Sequence, residues 1–292
     1  MLAAVVEEGR VVARAKAPTP TGGPAAVVAV LAELADGLGG SDRIGVGSPG
    51  QVAQPSGVVV GAPNLVGWDE PVPLLQLVQD ATGAATVGVD NDVNVATMAE
   101  HAAGAAAGRG DVLCVFMGTG VGGGLILDGQ LRRGANGLTG EIGHAMFRPD
   151  GRRCACGLRG HVEAYAGRAA MEAEARRRHD DGEATDLVAR AGDGRMKSNV
   201  FAKALGAGDA VAASLLDEAV EAVSVGIASA VMVLDLDLVV VGGGIAEKLG
   251  PVFVARIGDA VGSRLFPGSR LRVVPAALGD DAGVIGAAQL VL

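Results

Sequence analysis

Cys154, Cys156, His144 and His161 place two thiols and two imidazoles in one short stretch of this chain. These are good tetrahedral zinc ligands, and four of them would close a structural site. The chain has only four histidines and three cysteines, so the concentration is informative. The plainer alternative is two free thiols on a loop with incidental histidines. Upstream, Gly118-Thr119-Gly120-Val121-Gly122-Gly123-Gly124 contains G-x-G-x-x-G, but a dinucleotide fingerprint needs a helix after the glycines. An apolar strand pattern and a second turn, Asp128-Gly129, follow instead. The spacing predicts a β-hairpin whose backbone N–H groups and Thr119 hydroxyl face a phosphate. A purely structural glycine hairpin is the other reading. No G-x-x-x-x-G-K-[S/T] occurs, which excludes a Walker-type site.

Two further segments carry chemistry. Asp90-Asn91-Asp92-Val93-Asn94 stands between a strand pattern and a helix pattern. Asp and Asn cap helices well, and capping alone accounts for them. The carboxyl end of a strand is also where α/β folds place ligands, and a carboxylate there can take a proton from a hydroxyl attacking a phosphoryl group. Gly242-Gly243-Gly244 follows the apolar run Leu238 to Val241 and precedes a helix start. Such a turn leaves room for a flat ring or a phosphate against the backbone, or is simply tight.

The elements that must position these residues alternate between strand and helix. A hairpin is predicted over Ala3–Lys16 around Glu7-Glu8-Gly9-Arg10, with helices over Ala25–Leu38, Leu74–Thr82 and Val93–Ala106. Strands are predicted at Arg43–Val46, Gly57–Val60 and Thr86–Val89. A second unit begins near Asp111 with strand Val112–Met117, the glycine turn and strand Gly124–Leu127. Gly167–Arg178 reads as an exposed, charged helix. Asp209 is expected to cap a helix reaching Val233, ahead of strands Leu238–Val241 and Leu271–Val274 and a helix from Gly283. Strand, hairpin and helix thus recur in two halves, which is α/β architecture. The boundary falls near residues 104–111, where Gly and Ala fit a hinge.

Composition narrows the function classes. The 292 residues suffice for two cores, and 49% are hydrophobic, which argues for a packed protein. A net charge of −9 gives no basic footprint for nucleic acid or anionic membrane. Glycine numbers 47, about twice the usual share of roughly 7%. Aromatics are 2%, so Val, Leu, Ile and Ala must build the core. The cysteines suit a reducing compartment; no signal peptide is read at the start. Asp235 and Asp237 interrupt the most apolar run, against a membrane span. A cytoplasmic protein is expected.

In combination these segments resemble the ROK family of bacterial sugar kinases and repressors. Asp90-Asn91-Asp92-Val93-Asn94 is similar to its Glu-Asn-Asp-x-Asn segment, with Asp for the first Glu. Arg133 to His144 follows R-G-A-N-G-x-A-G-E-I-G-H closely, and Leu278 to Ala288 matches the usual tail. The resemblance implies the actin-like ATPase, ribonuclease H-like α/β fold with two domains and an interdomain cleft. The domains would be 1–104 and 105–282, with the helix 283–292 packing back on the first. It implies an ATP-dependent kinase for a hexose, with glucose the expected substrate, using ATP with Mg²⁺ and a structural Zn²⁺. Asp92 would be the general base, and Asn91, Glu141, His144 and Glu163 would hold the other sugar hydroxyls. Gly118, Thr119, Gly120 and Gly122 would cradle phosphates; Gly242, Gly243 and Gly244 would lie against adenosine. His144, Cys154, Cys156 and His161 would bind zinc. Family members carry C-x-C-G-x-x-G-C-x-E there, so His161 stands where a Cys is usual. A homodimer or homotetramer is implied, with closure near Ala103–Gly110. The family's opening D-x-G-G-T is absent before Met1-Leu2-Ala3-Ala4-Val5-Val6; an upstream start supplying it is expected, and its loss would leave a sheet edge. The alternative is a non-catalytic sugar-binding or regulatory member.

Overall fold

Glu7-Glu8-Gly9-Arg10 turns the chain as its residue types predict. In the computed structural model, which describes residues 1–62 and 65–292, Glu8 and Gly9 take φ angles of 49° and 76°. Two positive φ values match the twist of a tight hairpin, so β1 (Leu2–Glu7) and β2 (Arg10–Lys16) pair antiparallel. There follow α1 (Gly23–Gly37), β3 (Arg43–Ser48), β4 (Gln51–Ala53), β5 (Val58–Gly61), α2 (Leu74–Thr82), β6 (Thr86–Asn91) and α3 (Asp92–Ala103). Next are β7 (Val112–Met117), β8 (Val121–Leu127) and β9 (Gln130–Arg132). A long excursion then carries α4 (Glu163–Ala166), α5 (Arg168–Asp180), α6 (Leu187–Ala191), α7 (Ser198–Gly206) and α8 (Ala210–Leu234). The chain ends through β10 (Leu238–Gly242), α9 (Gly244–Leu249), α10 (Pro251–Gly262), β11 (Arg272–Pro275) and α11 (Ala282–Gln289).

Two units result. One holds Met1–Arg109, Leu125–Thr139 and Ala277–Leu292; the other holds Gly110–Gly124 and Gly140–Ala276. Of the expected second domain, 105–282, the first unit holds residues 105–109, Leu125–Thr139 and 277–282; β9 pairs with the end of β8, Leu125–Leu127, inside it.

In the first unit β3 and β6 run parallel, with Val46 opposite Val89 and Ser48 opposite Asn91. Among the described residues, β1–β2, β3–β6 and β4–β5 form separate two-stranded ladders. Val28, Val46, Val59, Trp68, Leu74, Val78 and Val89 bury their side chains together. Helix α11 lies so close to α3 that a Cβ on Gly286 would fall 1.6 Å from the Val95 carbonyl oxygen. Only glycine permits that approach.

Helix α3 stops at Ala103, three residues before the expected Ala106, because Glu100 ties off its end. Its carbonyl accepts from the N–H groups of Gly104 and Ala106. The carboxylate is fully buried and takes the N–H of Ala105 at 2.7 Å, Leu278 at 2.8 Å and Ala277 at 2.9 Å. Glu100→Ala leaves three part-buried N–H groups without their acceptor, each costing about 1 kcal/mol or more. A loss of at least about 3 kcal/mol is expected in urea unfolding, and an unchanged midpoint would contradict this role.

The second unit is built on the order β11-β10-β7-β8. Strand β10 is parallel to β7 and β11, Val240 sitting opposite both Cys114 and Val274. Both faces are covered, so β10 and most of β7 are continuous apolar runs. Asp209 caps α8, its carboxylate accepting from the Ala212 N–H at 2.8 Å. Strand β8 starts at Val121 rather than the expected Gly124. None of the helices in the described residues is long and apolar enough to cross a membrane.

Helix α5, expected to be exposed, buries Met171 and Ala175 and holds a loop with its charges. Glu174 pairs with Arg177 at 2.8 Å, Arg178 at 2.9 Å and Arg152 at 3.2 Å. Arg152 also reaches Glu218 at 2.7 Å and stacks 4.8 Å from the Tyr165 ring. The hydrogen bond from Arg177 is the main cause that holds the Glu174 carboxyl down at about 2, against 4.5 ordinarily. A depressed carboxyl stabilises the folded state above pH 4.5 and loses that contribution as pH falls toward 2. Acid titration of stability is expected to show this limb, and Glu174→Gln should flatten it.

Candidate functional site

The carboxyl ends of β3 and β6 lie side by side in the first unit, and the Asp90 to Asn94 segment crosses from β6 into α3. Asn91 is the N-cap of α3: its Oδ1 accepts from the N–H groups of Val93 at 2.9 Å and Asn94 at 3.1 Å. Its Nδ2 donates to the Gly50 carbonyl at 3.0 Å. The capping reading thus describes Asn91. Asp92 is exposed at the first turn, where its Oδ1 accepts from the Val93 N–H at 2.9 Å. A carboxylate at a helix N-terminus is favoured by the helix dipole.

Beneath them Asp90 is 1% exposed. Its Oδ1 accepts from the Asn91 N–H at 2.7 Å and from Asn94 Nδ2 at 2.9 Å, and its Oδ2 accepts from Arg133 Nε at 2.7 Å. Gln51 Nε2 donates to the Asn136 carbonyl at 2.6 Å. Together these contacts seat the Arg133 to Gly137 segment beside the strand end that carries Asn91 and Asp92. Asp90, Gln51 and Arg133 are positioning residues that sequence reasoning missed. Asp90 and Arg133 are 43 positions apart, so no local spacing marks their pairing.

In the second unit the Gly118–Gly120 turn joins β7 to β8. The Gly118 N–H donates to the Gly120 carbonyl at 2.9 Å, and the Val121 N–H to Glu163 Oε2 at 2.9 Å. Those two donors are committed within the protein. A Cβ on Gly120 would meet Glu163 Oε2 at 2.1 Å, so this glycine makes room for the carboxylate. The Glu163 Oε1 in turn accepts from Cys154 Sγ at 3.6 Å. Glu163 thus joins the glycine turn to the cysteine loop. The Gly242–Gly244 turn ends β10; Gly243 has φ 85°, and a Cβ there would strike the Met117 backbone at 2.6 Å. Close packing on β7 therefore accounts for Gly243. Gly122 lies within β8.

His144, Cys154, Cys156 and His161 come together with one ligand atom each, all within 4.8 Å of one another. His144 Nδ1 stands 3.3 Å from His161 Nδ1 and 3.8 Å from Cys154 Sγ; His161 Nδ1 stands 3.3 Å from Cys156 Sγ. Zn–S bonds near 2.3 Å and Zn–N bonds near 2.0–2.1 Å put tetrahedral ligand pairs about 3.3–3.8 Å apart, so the donors fit. His161 takes its place without displacing the others. Burial pushes the Cys154 thiol up to about 11. His144 turns its other nitrogen, Nε2, to Glu141 at 3.7 Å, so the cluster and any ligand at Glu141 would use different nitrogens.

Solved structures define the class: the fold is that of the actin-like ATPases. A ROK family glucokinase from Streptomyces griseus, in complex with glucose and AMPPNP, superposes with a TM-score of 0.83 at 32% identity, over 98% of this chain and 94% of that one. The glucokinase of Streptomyces coelicolor is 33% identical over 98% of this chain and 92% of its own length. The N-acetylmannosamine kinase of Vibrio cholerae is 32% identical over 98% and 93%. The ROK family model matches residues 1–292. The chain belongs to the ROK family.

Proposed function

We propose that this chain is an ATP-dependent sugar kinase that converts glucose to glucose 6-phosphate. The observation that carries the reading is its likeness, over 98% of the chain, to a glucokinase seen with glucose and AMPPNP. The sugar hydroxyl oxygen attacks the γ-phosphorus of ATP, the bond to the β-bridging oxygen breaks, and ADP leaves. Asp92 takes the hydroxyl proton as general base. Its place at the start of α3, over the Asp90–Arg133 pair, supports that role. Asn91, Glu141, His144 and Glu163 hold the remaining hydroxyls, although Asn91 and Glu163 also serve the fold through the contacts above.

Gly118, Thr119, Gly120 and Gly122 would line the phosphates with Mg²⁺, although the Gly118 N–H is spent on the Gly120 carbonyl, and Gly242 to Gly244 would face the adenosine. His144, Cys154, Cys156 and His161 would hold zinc, which supplies a cross-link fixing the loop that bears His144. The family resemblance supports a cytoplasmic homodimer or homotetramer, and the net charge of −9 agrees with no nucleic-acid partner.

The Vibrio cholerae relative favours a second sugar, N-acetylmannosamine. Phosphorus NMR of products formed from Mg-ATP with each sugar separates them. A 6-phosphate from glucose at the higher kcat/KM supports the first reading; preference for N-acetylmannosamine would replace it with the second.

A further inference from the structure

Arg168 is the first residue of α5 and belongs to none of the motifs above. Helix α5 carries four arginines on its length; Arg176, Arg177 and Arg178 are each ion-paired to carboxylates. Among the described residues no carboxylate pairs with Arg168. Its guanidinium is held instead by two neutral acceptors: NH1 donates to the Met196 carbonyl at 2.7 Å and NH2 to Thr119 Oγ1 at 2.9 Å. A cation fixed by neutral groups keeps its full charge for a ligand. We infer that Arg168 is a nucleotide-phosphate ligand that binds ATP beside Thr119 and links the two glycine turns of the second unit. The inference rests on the kinase reading above.

Position supports it from both sides. The backbone N–H groups of Arg168 and Ala169 donate to the carbonyls of Gly118 at 3.1 Å and Thr119 at 3.0 Å. The helix end is therefore spent on the turn, and the Arg168 side chain brings positive charge to that place. Thr119 is exposed, and with its oxygen accepting from Arg168 its own O–H is oriented to donate elsewhere. Guanidinium and hydroxyl make a donor pair matched to phosphate oxygens. On the other side, Met196 is seated by its N–H on Glu172 Oε2 at 3.0 Å. Two residues on, Ser198 lies against Gly244, where an added Cβ would come 3.0 Å from its Oγ. One guanidinium thus spans from the Gly118–Gly120 turn to the segment abutting Gly242–Gly244. The nearby Glu163 carboxylate would repel a phosphate, so a cation here has an electrostatic task.

Calorimetry with Mg-AMPPNP and with adenosine tests this on wild type, Arg168→Met and Arg168→Gln; the Gln variant keeps a polar link while removing the charge. The expected result is at least a tenfold rise in the AMPPNP Kd in both variants, with adenosine and glucose affinities within twofold of wild type. Equal AMPPNP affinity in wild type and variants overturns the inference while leaving the kinase reading intact. Equal weakening of adenosine and AMPPNP also overturns it, showing Arg168 to be a structural pin. A wild type that binds no AMPPNP overturns both.

Discussion

Asp92→Asn is expected to lower kcat by about 10²–10⁴, the usual contribution of a positioned general base, while leaving glucose affinity within a few-fold. The asparagine keeps the shape of the side chain and can still accept the Val93 N–H that Asp92 Oδ1 takes at 2.9 Å. It cannot accept the proton of the attacking hydroxyl. Because Asp92 is exposed and heads α3 and asparagine has nearly the same shape, the fold should be preserved. Steady-state kinetics beside glucose calorimetry reads the two effects separately. Turnover like that of wild type would remove Asp92 from its role.

The second large effect is expected at the Cys/His cluster. Protein made in zinc-containing medium should carry one zinc per chain by elemental analysis. Chelation, or Cys154→Ser, should lower the melting temperature by about 10 °C, corresponding to a loss of about 3 kcal/mol in a domain of this size. That is far below the worth of zinc to an isolated finger. The difference follows because the second unit has its own core, and because Arg152 and Arg148 hold the same loop to Glu218 and Glu221 at 2.7 and 2.9 Å. His144 sits at the cluster's edge, so glucose affinity should fall about tenfold with the metal. Metal-free protein with unchanged stability and glucose affinity would show the four residues to be an incidental grouping.

Local chemistry was legible in the sequence. Helix α2 spans Leu74–Thr82 as read, because its apolar period is regular and Gly83 closes it with φ 69°. Asp209 caps α8 as its residue type implies, and Cys-x-Cys beside two histidines marked the cluster that the fold assembles. Strands β4 and β9 were missed because three residues cannot display a period of two. Helix α10 was missed although Pro251 at its start and Phe253, Ile257 and Val261 at helical spacing were available signals. Long-range pairing stayed hidden. The second unit's tie of Glu163 to Val121 and Cys154, like the first unit's Asp90–Arg133 pair, arises from segments that only folding brings together. The same is true of Glu100, whose neighbours suggest an ordinary helix end and whose carboxylate reaches Ala277 and Leu278, 177 and 178 positions away.

ADP release from Mg-ATP, measured with and without glucose on this chain, tests the central claim most directly. The account predicts ADP formation that requires the sugar and saturates with it. Glucose that raises the melting temperature without any sugar-dependent ADP release would contradict it, leaving a protein that binds sugar and transfers no phosphoryl group.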